Sequence, residues 1–141
     1  NSHKFLEIDK NFIPKEEFKN TTSTPFDFIS EKIIGDDLNK NNKQLNIAKG
    51  FDHCFALNKG EKIAAELSES ESGRLIQILT DQPGIQLYTG NHLKGVFSKN
   101  QGLCLETQHF PNSPNVNSFP STLLKSNTNY YSKTSYHFKL I

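Results

Sequence analysis

Tryptophan and methionine are absent from this chain of 141 residues, cysteine occurs only twice, and no apolar run approaches a membrane span. A span needs about 18 consecutive apolar residues, so none is expected. Without Met the chain carries no initiator, so residues 1–141 are expected to be a portion of a longer polypeptide, with any targeting signal outside them. Cys54 and Cys104 are too few for a disulfide framework. Two reduced, buried thiols in a cytoplasmic protein are expected, with one bridge between them as the alternative. An excess of either charge is missing too: 16 Lys and Arg stand against 15 Asp and Glu, a net +1. Neither nucleic acid nor an anionic membrane is therefore expected as a partner.

Helical periodicity is also scarce. What recurs is alternation with period two, the mark of half-buried strands. Lys4, Leu6 and Ile8 alternate with Phe5 and Glu7, and Phe51, His53, Phe55 and Leu57 with Asp52, Cys54 and Ala56. Further strands are expected over 74–80, 85–89 after the turn Asp81-Gln82-Pro83-Gly84, 103–110 and 135–140. The polar stretch 36–46 reads as a long surface loop, as does 111–121, with three prolines and three asparagines. A short helical turn is expected within 30–39. Six or seven short strands separated by turns and loops argue for an all-β fold, an antiparallel β-sandwich or a barrel, with a core rich in the 11 phenylalanines.

Three places could carry chemistry. Glu106 lies in a strand, a setting where Glu is depleted, on one face with Cys104, Gln108 and Phe110. A partly desolvated carboxylate there would accept a proton near neutral pH; on a solvated face it is surface charge. Asp52 stands opposite three apolar side chains. It either holds hydroxyl groups through its two acceptor oxygens or caps a turn. Gln86 and Tyr88 share a strand face, where an amide beside an aromatic ring suits a sugar, or an ordinary amphipathic strand. No metal site is expected: His53 and Cys54 are adjacent and point to opposite faces, and His3, His92, His109 and His137 lack ligand spacing. No phosphate loop, nucleotide fingerprint or nucleophile elbow is present.

Five segments, taken in order, resemble the aldose 1-epimerase (galactose mutarotase) family. Asn11-Phe12-Ile13-Pro14 and Thr24-Pro25-Phe26-Asp27-Phe28 are similar to its Leu-Ile-Pro-Thr-Gly and Thr-Pro-Phe-Asp-Phe regions. Gly50-Phe51-Asp52-His53-Cys54-Phe55 resembles its Gly-(Tyr/Phe)-Asp-His-Asn-Phe motif, with Cys54 in place of the usual Asn. Ser72-Gly73-Arg74, then Thr80 through the run Gln82-Pro83-Gly84-Ile85-Gln86-Leu87-Tyr88-Thr89-Gly90-Asn91, and finally Leu103-Cys104-Leu105-Glu106-Thr107-Gln108-His109-Phe110-Pro111, complete the match. Between Ile8 and Asn11 the chain is shorter than the family pattern.

The resemblance implies a portion of a large galactose-mutarotase-like supersandwich, residues 1–141 being the C-terminal part of one β-sandwich domain whose N-terminal part lies elsewhere. It implies interconversion of the α and β anomers of free hexoses such as glucose or galactose, with no cofactor and no metal. Glu106 corresponds to the general base, and Asp52 and Gln86 to residues that hydrogen-bond sugar hydroxyls. The family's general acid, a His in an Asn-His-x-Tyr-Phe motif, would come from the N-terminal portion. The implied partners are thus a monosaccharide substrate and that portion. A carbohydrate-binding module without catalysis is the alternative on the same fold.

Overall fold

The computed structural model describes residues 1–141 as eight strands, two short α-helices and one 3-10 turn at Ser113–Asn115. The strands are β1 (Lys4–Ile8), β2 (Pro14–Asn20), β3 (Asp52–Ala56), β4 (Ala65–Glu69), β5 (Arg74–Thr80), β6 (Gly84–Tyr88), β7 (Cys104–Gln108) and β8 (Thr134–Leu140). The helices are α1 (Ile34–Asp37) and α2 (Lys43–Ala48). A five-stranded sheet has the order β2-β1-β3-β6-β7 and a three-stranded sheet the order β4-β5-β8. Every pairing is antiparallel. The expected all-β antiparallel sandwich is what the chain forms.

Period two decides which side chains meet. On one face of the larger sheet Phe5, Phe55, Ile85 and Leu87 join Phe26, Phe51, Leu45 and, from the smaller sheet, Ile78 in a single buried cluster. Phe5 stacks flat on Phe26 with ring centroids 4.1 Å apart, and Phe26 meets Phe51 edge-on at 5.3 Å. Aromatic rings bury a large area per residue, which lets a short chain without Trp fill the space between two sheets.

The turn at Asp81-Gln82-Pro83 links β5 to β6, as the turn residues suggest, yet these strands belong to different sheets. A turn motif marks where the chain bends; the partner strand depends on residues distant in sequence. The sheets are tied beside β7 by a chain of hydroxyls, Thr80 Oγ1 to Thr134 Oγ1 at 2.9 Å and Thr134 Oγ1 to Thr107 Oγ1 at 2.7 Å.

Four expectations need correction. β2 and β4 were not expected: β2 is rich in Lys and Glu and β4 in Glu and Ser, and they sit at the edges of their sheets, where one ladder suffices and polar side chains protect the open side. The polar stretch 36–46 is not all loop, because α2 begins within it. Asn42 caps α2, its side-chain oxygen accepting the Gln44 N–H at 2.9 Å, and the helix buries Gln44, Leu45 and Ala48. The stretch 111–121 is not simply surface: Val116 and Phe119 are buried against Leu6 and Cys54 on the opposite side of the larger sheet from the main core. Of the two cysteines, both free, only Cys54 is buried; Cys104 is exposed on the edge strand β7. The helical turn expected within 30–39 is α1.

The stretch after Ile8 closes as a tight β1–β2 connection. Asp9 N–H donates to Ile13 O at 2.9 Å, and the Asp9 carboxylate accepts the N–H groups of Asn11 and Ile13 at 2.8 and 3.0 Å. Phe12, at the turn, takes a left-handed φ of 64°.

Candidate active site

The register of three strands assembles the site. In β3–β6 pairing Asp52 lies opposite Tyr88 and Cys54 opposite Gln86. In β6–β7 pairing Gln86 lies opposite Glu106 and Tyr88 opposite Cys104. Directly opposed residues have Cβ atoms about 4.5–5.5 Å apart, so Glu106 and Gln86 are immediate neighbours and Asp52 is diagonal to Gln86. All four expected residues, Asp52, Gln86, Tyr88 and Glu106, therefore share one face, and they line one open cleft of about 430 Å³. Ile8, Phe12, Pro14, His92, Gln108 and Pro111 form much of its remaining wall.

Polar contacts orient the floor. Gln86 Nε2 donates to Asp52 Oδ1 at 2.8 Å, which leaves Gln86 Oε1 buried and without a hydrogen-bond partner. An unsatisfied buried acceptor costs about 1–3 kcal/mol, and such atoms are rare in folded proteins. The Tyr88 hydroxyl accepts the backbone N–H of His92 at 3.0 Å, fixing the loop that follows β6. Cys54, at the back of the cleft, has its thiol pushed up to about 12 by burial, so it is a neutral wall.

Glu106 departs from one expectation. Its side chain faces the cleft, but the residue is exposed rather than partly desolvated. The cause is topological: β7 is the last strand of its sheet, and no strand lies beyond it.

Behind the cleft, a network explains why Gly50 precedes the Phe-Asp-His run. Asn91 Nδ2 donates to the carbonyls of Ala48 and Phe51 at 2.9 and 2.8 Å, while Thr89 Oγ1 donates to Asn91 Oδ1 at 2.7 Å and accepts the Phe51 N–H at 3.0 Å. A Cβ on Gly50 would collide with Asn91 Oδ1, and its φ is +146°, so only glycine fits. The network locks the end of α2 and the end of β6 to the start of β3, where Asp52 stands.

Two cleft residues went unmarked in the sequence. His92 has no ligand spacing, and the only local clue is its position four residues after Tyr88. Phe12 packs edge-on to His92 with centroids 6.0 Å apart, from the separate β1–β2 connection, and no sequence pattern links the two. No group of three His, Cys, Asp or Glu side chains is placed to hold a metal ion. No helix is long and apolar enough to cross a membrane.

A second cavity, about 110 Å³, lies away from these groups, walled mainly by apolar side chains between the sheets, among them Phe28, Phe55, Leu67, Leu87 and Leu105. It offers packing space but no acid or base to the four site residues.

Comparison with known proteins bears on the whole chain. Residues 1–137 match the model of the aldose 1-epimerase family. Galactose mutarotase of Sus scrofa is 38% identical over 96% of this chain, and aldose 1-epimerase of Escherichia coli K12 is 34% identical over 95% of it. The chain spans 41% and 42% of the lengths of these two relatives. The crystal structure of galactose 1-epimerase from Lactobacillus acidophilus superimposes with a TM-score of 0.89 at 28% identity, covering 99% of this chain and 42% of that one. With the sandwich, the motif order and these matches in agreement, the chain belongs to the aldose 1-epimerase family.

Proposed function

We propose that residues 1–141 are the base-bearing and sugar-holding portion of an aldose 1-epimerase that interconverts the α and β anomers of free hexoses, galactose or glucose. The observation that carries this reading is the convergence of Glu106, Gln86, Asp52 and Tyr88 on one cleft face through the β3–β6–β7 register.

In the proposed reaction Glu106 accepts the proton of the anomeric hydroxyl. The C1–O5 bond breaks as an acid delivers a proton to the ring oxygen, giving the open-chain aldehyde. Rotation about C1–C2 and attack of the O5 hydroxyl on the other face of the carbonyl restore the ring, with both protons returned. Atoms and charge balance without a redox step or a co-substrate. Asp52 and Gln86 hold hydroxyl groups; the unpartnered Gln86 Oε1 is the kind of acceptor that a hydroxyl donor satisfies. The Tyr88 ring gives the C–H face of the sugar an apolar surface.

The acid, in this reading, comes from the N-terminal portion of the same domain. Two features support a domain larger than these residues. Relatives are more than twice as long. On the smaller sheet Tyr136, Phe138 and Leu140 stand on one face of β8 with exposures of 47%, 80% and 79%, an apolar surface with nothing against it. Free thiols at Cys54 and Cys104 accord with a reducing, cytoplasmic setting.

Polarimetry tests the proposal. Freshly dissolved α-D-galactose or α-D-glucose should lose its excess rotation faster with the full polypeptide that carries this chain. A Glu106→Gln variant should bind sugar without that acceleration. Unchanged rates in the variant would remove Glu106 from the mechanism, and sugar binding without catalysis in the unaltered protein would favour a binding module.

A further inference from the structure

Where β1 and β3 meet beneath the cleft, strand pairing stops early. Only Lys4 with Ala56 and Phe5 with Phe55 are paired, and beyond them side chains take over. Gln44, from α2, accepts the Ile8 N–H on Oε1 at 2.8 Å and donates from Nε2 to the Ile8 carbonyl at 3.1 Å. That is the two-bond pattern a neighbouring strand would supply. The same Oε1 lies 3.0 Å from Nε2 of His53.

An amide oxygen can only accept, so His53 Nε2 must carry the ring proton. Nδ1 is left bare, and it accepts the backbone N–H of Asp52 at 3.1 Å. The two contacts select one tautomer from opposite sides of the ring. His53 is fully buried, edge-on to Phe26 at 4.7 Å and to Phe5 at 5.9 Å, so the ring has no room to turn. Burial also holds its pKa down to about 3, which keeps Nδ1 an acceptor at neutral pH. The other end of Asp52 is tied as well, because its carboxylate accepts from Gln86.

We propose that His53, fixed in its Nε2–H tautomer by Gln44, is a positioning residue for the sugar site, its bare Nδ1 anchoring the Asp52 backbone so that the Asp52 carboxylate meets Gln86 and substrate. The inference rests on Asp52 holding a substrate hydroxyl, as proposed above. It assigns a role to an imidazole that never reaches the cleft, and it gives a physical reason for the residue after Asp52 to be histidine.

Two replacements separate positioning from packing. Asn places its Oδ1 close to the Nδ1 location and retains an acceptor for the Asp52 N–H. Gln extends its amide toward the Nε2 location and retains only the side facing Gln44. Both variants, with Asp52→Asn and the double variant of Asp52→Asn with His53→Gln, are compared in the full polypeptide by mutarotation of galactose, with melting temperatures measured in parallel.

His53→Asn should stay within about twofold of the parent KM, whereas His53→Gln should raise KM about three- to tenfold with kcat nearly unchanged, the worth of one hydrogen bond. The double variant should be no worse than Asp52→Asn alone, since both act through the same carboxylate. Equal impairment in the two His53 variants, following their melting temperatures, would make the role packing alone. An Asp52→Asn variant with unaltered KM would overturn the sugar-holding reading and this inference with it. An effect in Asp52→Asn but none in His53→Gln would overturn only this inference. The nitrogen-15 spectrum of the unaltered protein decides independently of how the variants fold: a protonated Nε2 and a bare Nδ1 are expected, and a proton on Nδ1 would end the proposal.

Discussion

The two faces of the five-stranded sheet are built from alternate residues of the same strands, yet they do different work. On the inner face Phe5, His53, Phe55, Ile85 and Leu87 are all buried to 6% exposure or less. On the outer face Asp52, Gln86 and Tyr88 are part-buried and Glu106 is exposed. Alternation forces every cleft residue of β3 and β6 to stand between two buried residues. The core therefore fixes the backbone from which the polar side chains project, to a degree that the few hydrogen bonds in the cleft would not reach alone. His53 crosses the division: it is a core residue by burial, and through the Asp52 N–H it acts on the cleft.

The comparison can be broken or sharpened in four ways. The largest effect is expected at Glu106→Gln, where mutarotation should fall on the order of 10²–10⁴-fold, the range for removing a general base. Its melting temperature should stay unaltered, because the residue is exposed on an edge strand. A variant that loses activity by unfolding would contradict the separation of the two faces.

The converse is expected at Phe26→Ala. Phe26 is 1% exposed and touches Phe5, Phe51 and Phe55. Removing its ring should destabilise the fold by about 3–5 kcal/mol, read from the urea midpoint.

Acid should act from the inner face. Burial holds His53 down to about 3, far below the ordinary imidazole pKa of about 6.5, so between these values the unfolded chain binds a proton that the folded chain refuses. The stability this residue contributes is complete above pH 6.5 and is lost as pH falls toward 3, by up to about 1.4 kcal/mol for each pH unit. Going from pH 6.5 to 5 should therefore lower unfolding free energy by about 2 kcal/mol, and His53→Asn should flatten that slope. An equally steep slope in the variant would place the acid sensitivity elsewhere.

The smallest effect is expected at Phe138→Ser, in a ring that is 80% exposed. In residues 1–141 alone the change should be below about 0.5 kcal/mol. In the full polypeptide it should be larger, if the apolar face of β8 is covered there as proposed. Equal effects in both would argue against that cover.

Much of this molecule was legible from local pattern. Strands rich in alternating apolar residues announced themselves, and the pairs Gln86 with Tyr88 and Asp52 with Cys54 were placed on their faces by counting in twos. The polar edge strands β2 and β4 were not legible, because an edge strand is defined by its neighbour rather than by its own hydrophobicity. Helix α2 was hidden in an Asn-rich run because six residues show too little helical period to register. Phe12 and His92, facing each other across the cleft mouth, come from segments 80 residues apart, and no spacing rule reaches that far.

The chain's own sequence determined which side chains share a face, where the turns fall, and that a carboxylate stands at position 106, since these depend on residues a few positions apart. Tertiary structure alone decided that β6 lies between β3 and β7, which is what brings Asp52, Gln86 and Glu106 into one cleft. It also decided that Glu106 is exposed and that His53 is a neutral acceptor beneath Asp52. Register and desolvation are properties of neighbours in space, and those neighbours are set by burial of the phenylalanine core rather than by any one segment.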